Sequence, residues 1–157
     1  MDQKRLIKEL LEKYRIVGID TAAFIYHFEE NEEYLPFTDV LFKMIETGKI
    51  RGVTSTFTLM EVLVKPKRDG NDRAVDEYKF ILQTFPNLEI RQVDAEVAER
   101  AAEIRARYEV RPPDALQVAA SLANNADAFI TNDEELKRIG EIEIVIMKEI
   151  LRMKHKD

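Results

Sequence analysis

Short apolar runs alternate with longer amphipathic stretches along almost the whole chain, and this alternation most narrows what it can fold into. Arg15–Asp20, Arg51–Ser55, Glu89–Val93, Ala128–Thr131 and Glu143–Met147 read as strands. Between them, Thr21–Phe28, Pro36–Thr47, Thr58–Val64, Arg73–Phe85, Ala95–Tyr108, Asp114–Ala123 and a small piece at Glu134–Ile139 read as helices. The helical segments repeat apolar residues every three or four positions: Val75, Tyr78, Ile81, Leu82 and Phe85 make one stripe, and Val97, Ala101, Ile104 and Tyr108 another. Strands separated by helices imply a parallel sheet covered on both faces. The expected fold is therefore α/β, a single domain over residues 15–150 with a parallel sheet of about five strands flanked by helices. Residues 1–14 precede it as an amphipathic helix, with Leu6, Ile7, Leu10, Leu11 and Tyr14 on the face expected to dock on the body. Residues 151–157 read as a basic tail.

Composition removes several chemistries. The 157 residues include no cysteine, which excludes disulfides, zinc–thiolate sites and thiol nucleophiles. Two histidines, His27 and His155, leave little for a Ser–His–Asp triad, and both read as surface residues. No run approaches 18 apolar residues and the first residues lack a signal-peptide core, so a cytoplasmic protein without a membrane span is expected. The formal net charge of −6 argues against indiscriminate coating of nucleic acid, yet leaves room for a site whose acids bind cations. Chemistry must come from carboxylates, hydroxyls or amines.

Parallel α/β sheets bind ligands beyond the carboxyl ends of their strands, and acids collect there. Asp20 closes the first strand, Glu61 lies one turn into the helix after the second, Asp114 opens the apolar helix after Pro112 and Pro113, and Asp133 follows the strand ending at Thr131. Each has a plain structural explanation. Asp20 and Asp133 stand where helix N-caps belong, Thr58-Leu-Met-Glu61 fits a capping box, and Asp114 meets the positive end of a helix dipole. Four acids at one sheet edge, however, make a surplus of negative charge suited to a hard cation such as Mg²⁺, which takes oxygen ligands. Two such ions can activate water and stabilise the leaving oxygen of a phosphodiester.

Four segments carry a family resemblance: Val17-Gly-Ile-Asp20-Thr-Ala-Ala-Phe-Ile-Tyr26, Thr54-Ser-Thr-Phe-Thr-Leu-Met-Glu61-Val-Leu63, Pro113-Asp114-Ala-Leu-Gln-Val-Ala119, and Ala126-Asp-Ala-Phe-Ile-Thr131-Asn-Asp133-Glu-Glu-Leu136. In this order the chain resembles the PIN-domain nucleases, in particular the VapC-type toxin ribonucleases, from about Ile16 to Met147. The resemblance implies a five-stranded parallel sheet and an Mg²⁺- or Mn²⁺-dependent endoribonuclease. Asp20, Glu61, Asp114 and Asp133 would form the metal site, and hydrolysis would leave a 5′-phosphate and a 3′-hydroxyl. Thr131 matches a hydroxyl residue that would bond an acid, a metal-bound water or substrate; capping of the next helix is the alternative. Two positions depart from the family pattern. Ala22 replaces a common polar residue, for which Thr21 would supply the hydroxyl, and Gln117 stands where many relatives have His.

The resemblance also implies an RNA substrate, a small antitoxin protein docked near the site, and a homodimer. Lys65, Lys67, Arg68 and Arg73 form one set of candidate phosphate contacts, and Arg105, Arg107 and Arg111 a second. Lys148, Arg152, Lys154 and Lys156 add a basic end. The aromatic stretch Tyr26, Phe28, Tyr34, Leu35 and Phe37 reads as core or as a docking surface. A PIN-fold module that binds RNA or protein without cutting is the alternative function. A phosphoryl-relay receiver domain and a haloacid-dehalogenase phosphatase fit less well, because Asp20 lacks the second acid that each needs nearby.

Overall fold

The computed structural model describes residues 2–153. An N-terminal helix, α1 (Gln3–Leu11), leads into β1 (Ile16–Ile19), α2 (Thr21–Phe28), α3 (Leu35–Glu46), β2 (Arg51–Ser55), α4 (Thr56–Arg68) and α5 (Asp72–Thr84). β3 (Leu88–Arg91), α6 (Ala95–Arg107), α7 (Pro112–Ala123), β4 (Ala128–Thr131), a 3₁₀ turn (Glu134–Arg138), β5 (Glu143–Ile146) and α8 (Met147–Arg152) complete the order. The five strands form one sheet, β3-β2-β1-β4-β5, with every pairing parallel. This is the expected single α/β domain.

Side chains alternate across the sheet because successive residues of a strand point to opposite faces. Val17 and Ile19 of β1 and Ala128 and Ile130 of β4 belong to the core with Ile7, Leu11, Phe24, Phe37, Leu41 and Ile45. Phe129 points the other way, into a second core with Val97, Ala101, Ile104, Ala115, Val118 and Ala119 of α6 and α7. Gly18 makes the second face possible. A Cβ built there would lie 2.0 Å from Ser121 Oγ and 2.5 Å from Ser121 Cβ, so α7 lies against the bare backbone of the central strand. At the amino edge, Asp127 Oδ2 accepts from the backbone N–H groups of Arg15 (2.8 Å) and Ile16 (3.0 Å), pinning the start of β1 to β4.

Several boundaries differ from the sequence expectation. α4 begins at Thr56 with Ser55 as its cap, and it runs through Pro66 to Arg68. Thr58 is buried, its hydroxyl bonded to Thr54, so the capping box expected with Glu61 does not form. The helix passes through Pro66 although that residue has no amide donor for the carbonyl one turn back. α7 starts at Pro112, two residues early, because proline is preorganised for the first helical turn. The last strand stops at Ile146, and Met147 opens α8. Leu151, expected to open the basic tail, instead lies in α8 and packs on the core; Lys154, His155 and Lys156 fall outside the described residues. His27 is half-buried rather than a free surface residue: its ring lies 4.7 Å from that of Phe42, and Nδ1 sits 3.0 Å from Thr38 Oγ1. The aromatic stretch serves mainly as core, with Phe37 and Tyr34 buried and Tyr26 stacked on Tyr34 at 4.1 Å.

The β1–α7 contact yields a prediction. Gly18→Ala is expected to destabilise the domain by about 1–3 kcal/mol, the usual cost of overpacking, as read by chemical denaturation. Adding Ser121→Ala is not expected to relieve it, because the Ser121 Cβ itself stands in the way; full recovery in that double variant would disprove the close approach.

Candidate active site

The sheet order reverses beside β1, which pairs with β2 on one side and with β4 on the other. The chain leaves these two strands in opposite directions, so a crevice opens above their carboxyl ends. Asp20 lies at this point as the N-cap of α2. Its backbone N–H donates to Ile130 O at 2.9 Å, continuing the β1–β4 ladder by one bond. Thr131 Oγ1 donates to Asp20 Oδ2 at 2.7 Å, and the Thr21 N–H donates to Oδ1 at 2.8 Å, so both carboxylate oxygens are held. Thr131 is fully buried and also accepts from the Asp133 N–H at 3.1 Å. Of the roles considered for it, the geometry shows contact with an acid together with support of the following turn.

The other three acids approach from separate elements. Glu61 projects from α4, where Oε1 accepts from Thr21 Oγ1 at 2.7 Å. Asp114 stands in the first turn of α7, its side chain only 13% exposed, with Arg111 Nε 3.3 Å from Oδ2. Asp133 caps the 3₁₀ turn by accepting from the Glu135 N–H at 3.0 Å. Capping and crowding thus coexist: Asp20 and Asp133 act as N-caps and still contribute charge to the same edge.

That charge shows in the carboxyl groups. Burial raises Asp20 from an ordinary 3.8 to about 6, the bonds from Thr131 and Thr21 pull the other way, and the negative Asp114 and Glu61 add a smaller upward push. Asp114 is also raised, chiefly by burial, with Arg111 opposing and Asp133 and Glu61 reinforcing. Asp20 and Asp114 each feel Glu61, and Asp114 feels Asp133, so the four acids share one electrostatic neighbourhood.

The donor set is entirely oxygen, from carboxylates and hydroxyls, and such a set fits Mg²⁺ or Mn²⁺ in kind. Among the described residues, no group of three or more His, Asp or Glu side chains is close enough to hold an ion as it stands.

Beneath the acids lies a buried polar layer, of which the sequence analysis singled out Thr21 and Gln117. Thr54 Oγ1 donates to Ile19 O (2.9 Å) and approaches Thr58 Oγ1 (2.8 Å), which is 3.0 Å from Thr21 Oγ1. Gln117 Nε2 donates to Thr21 Oγ1 (3.0 Å) and Thr58 Oγ1 (2.7 Å), while its Oε1 accepts from Ser55 Oγ. The Ser/Thr-rich run Thr54-Ser-Thr-Phe-Thr58 at a strand end was the available signal.

Two depressions flank the acids. One of about 160 Å³ lies between α2, α4 and α5 and is lined by Glu61, Lys65, Ile25, Phe28 and Tyr78. The other, about 360 Å³, is lined by Asp114, Asp133, Arg105, Arg111 and Tyr108. Of the candidate phosphate contacts, Lys65, Arg105 and Arg111 therefore border the acidic edge. Arg107 turns away to Glu141 (3.2 Å) and Arg73 pairs with Glu77 (3.2 Å).

A PIN domain model matches residues 17–142, most of the chain, and the protein belongs to the PIN domain family. No curated protein matches it. Among solved structures, it is similar to a chain of VapBC2 from Rickettsia felis bound to a promoter DNA fragment, with a TM-score of 0.67 and 18% identity over 83% of this chain and 98% of that one. A chain of DNA-bound VapBC from Salmonella typhimurium gives 0.66 and 21% over 85% and 98%. A chain of a toxin–antitoxin complex from Klebsiella pneumoniae gives 0.63 and 21% over 85% and 97%. At these identities the likeness is one of fold.

The buried carboxyl group generates a pH prediction. Because the folded-state pKa of Asp20 exceeds its unfolded value, the native state binds the extra proton between about pH 4 and 6, and stability falls as pH rises through that window. In EDTA, Asp20→Asn is expected to stabilise the fold by about 2–3 kcal/mol at pH 7.5 and to make no difference below pH 4. A stability gap independent of pH would contradict the raised value.

Proposed function

We propose that this PIN-domain protein is a metal-dependent endoribonuclease and the toxin of a toxin–antitoxin pair, acting in the cytoplasm. The observation that carries the reading is the shared electrostatic neighbourhood of Asp20, Glu61, Asp114 and Asp133 at the carboxyl edge of the sheet, with Asp20 held on both oxygens. Asp20 and Asp114 are the residues that would hold Mg²⁺ or Mn²⁺, with Glu61 and Asp133 ligating or orienting water. A divalent ion so held supplies Lewis acidity toward water and the phosphodiester.

The chain's own groups do the rest. Thr131 keeps Asp20 in one rotamer, which limits reorganisation when the site closes. Arg105 and Arg111 on one flank and Lys65 on the other offer cations on either side of the acids, so an RNA strand crossing the edge meets positive charge before and after the scissile phosphate. Water adds at phosphorus and the bond to the 3′ oxygen breaks, leaving a 5′-phosphate and a 3′-hydroxyl. The chains similar to this one come from toxin–antitoxin and VapBC structures, which supports a small antitoxin as partner; a homodimer is the accompanying proposal.

The non-catalytic binding module has one observation in its favour, the incomplete convergence of the acids. Cleavage of RNA by purified protein separates the two readings. With Mg²⁺ or Mn²⁺ the wild-type chain is expected to cut, EDTA to stop it, and Asp114→Asn to slow it by roughly a hundredfold or more, at or beyond the range seen for outer-sphere partners. No cleavage of total RNA with either metal by folded protein would establish the binding module instead. Arg111→Ala is expected to weaken RNA affinity and to lower the slope of log K against log salt by about one phosphate contact; an unchanged slope would remove Arg111 from the RNA path.

A further inference from the structure

Gln117 lies on α7 one turn beyond Asp114, is only 3% exposed, and is too deep to meet a substrate. Its amide nevertheless decides which way the hydroxyl protons beneath the acids point. A threonine hydroxyl has one proton and two acceptor sites, and a carboxylate only accepts. Thr21 gives its proton to Glu61 Oε1. It must then accept from both of its other neighbours, the Gln117 amide at 3.0 Å and the Thr58 hydroxyl at 3.0 Å. Thr58, having turned its proton to Thr21, accepts from Gln117 and shares the single Thr54 proton with Ile19 O. Ser55 fixes the amide itself, since its hydroxyl meets Gln117 Oε1 while its oxygen accepts from the Phe57 N–H at 3.2 Å. A flipped amide would present its oxygen to Thr21 and Thr58 and compete with Glu61 for the Thr21 proton.

We propose that Gln117 is a positioning residue of the acidic site: by donating both amide protons to Thr21 and Thr58, it commits the Thr21 hydroxyl to Glu61 and holds that carboxylate in place for a divalent cation. The same side chain ties α7, which carries Asp114, to β2, α4 and α2, so three of the four acid-bearing segments share one amide. The inference rests on the metal-site reading above.

The test is Mn²⁺ binding by the full chain, measured by electron paramagnetic resonance of the free ion, for wild type, Gln117→Met, Thr21→Val and the double variant. Each single variant is expected to bind Mn²⁺ about tenfold or more weakly. The double variant is expected to bind no more weakly than the poorer single one, because both break the same chain of bonds. Should Gln117→Met not fold, Gln117→Glu replaces it: volume and the Ser55 contact are kept, but a carboxylate cannot donate to Thr21, and the same loss is expected. Wild-type affinity in the Gln117 variant, or losses that add in the double variant, would overturn the role of Gln117 alone. Wild-type protein that binds no Mn²⁺ would overturn the metal reading and this role with it.

Discussion

The bond from Thr131 to Asp20 joins the ends of two neighbouring strands that lie 111 residues apart in the chain. Everything at the carboxyl edge is arranged around that junction. β1 stands in the middle of a fully parallel sheet with its successor on one side and β4 on the other, so no connection covers the gap between them. Asp20 enters the gap as an N-cap, a position where a carboxylate is already favoured by backbone donors. Burial raises its pKa all the same, which means that its donors do not offset the loss of water. A buried acid made uncomfortable in this way, with further acids within electrostatic reach, favours a cation more than a lone surface carboxylate would.

Beneath the charged rim, the protein uses neutral hydroxyls and one amide. The division has a physical basis. A buried charge needs a partner of opposite sign or suffers a large desolvation penalty, whereas hydroxyls can satisfy one another in a closed set. Among the described residues, no buried side-chain nitrogen or oxygen lacks a hydrogen-bond partner. The layer thus adds rigidity without adding to the negative charge that the acids already concentrate.

How much of this was legible in the sequence depended on the range of the interaction. The strands and most helices follow from local apolar periodicity, and the two-sided burial of Val17, Ile19 and Phe129 is what an almost wholly apolar strand implies. Helix ends were less legible. Ser55 outcompeted Thr58 as a cap because Thr58 is drawn inward by Thr54, and α8 was hidden by a run that reads as basic tail until Ile150 and Leu151 pack on the core. The four acids were visible individually, and their shared edge followed from the expected sheet. The hydroxyl layer was not visible as a unit: its members lie 37 to 96 positions apart in the Thr21 contacts with Thr58 and Gln117, a separation that no local pattern reports.

The distance along the chain between Thr131 and Asp20 also bears on when the site can exist. A growing polypeptide makes β1 early and must add 111 further residues before the hydroxyl that holds Asp20 has been made. Non-local pairings of this kind form late, because the entropy of closing the loop is spent before the contact contributes anything. The acidic centre therefore cannot be complete before β4 has been made and paired with β1. A chain that ends before β4 carries Asp20, Glu61 and Asp114 but lacks both Asp133 and the hydroxyl that holds Asp20.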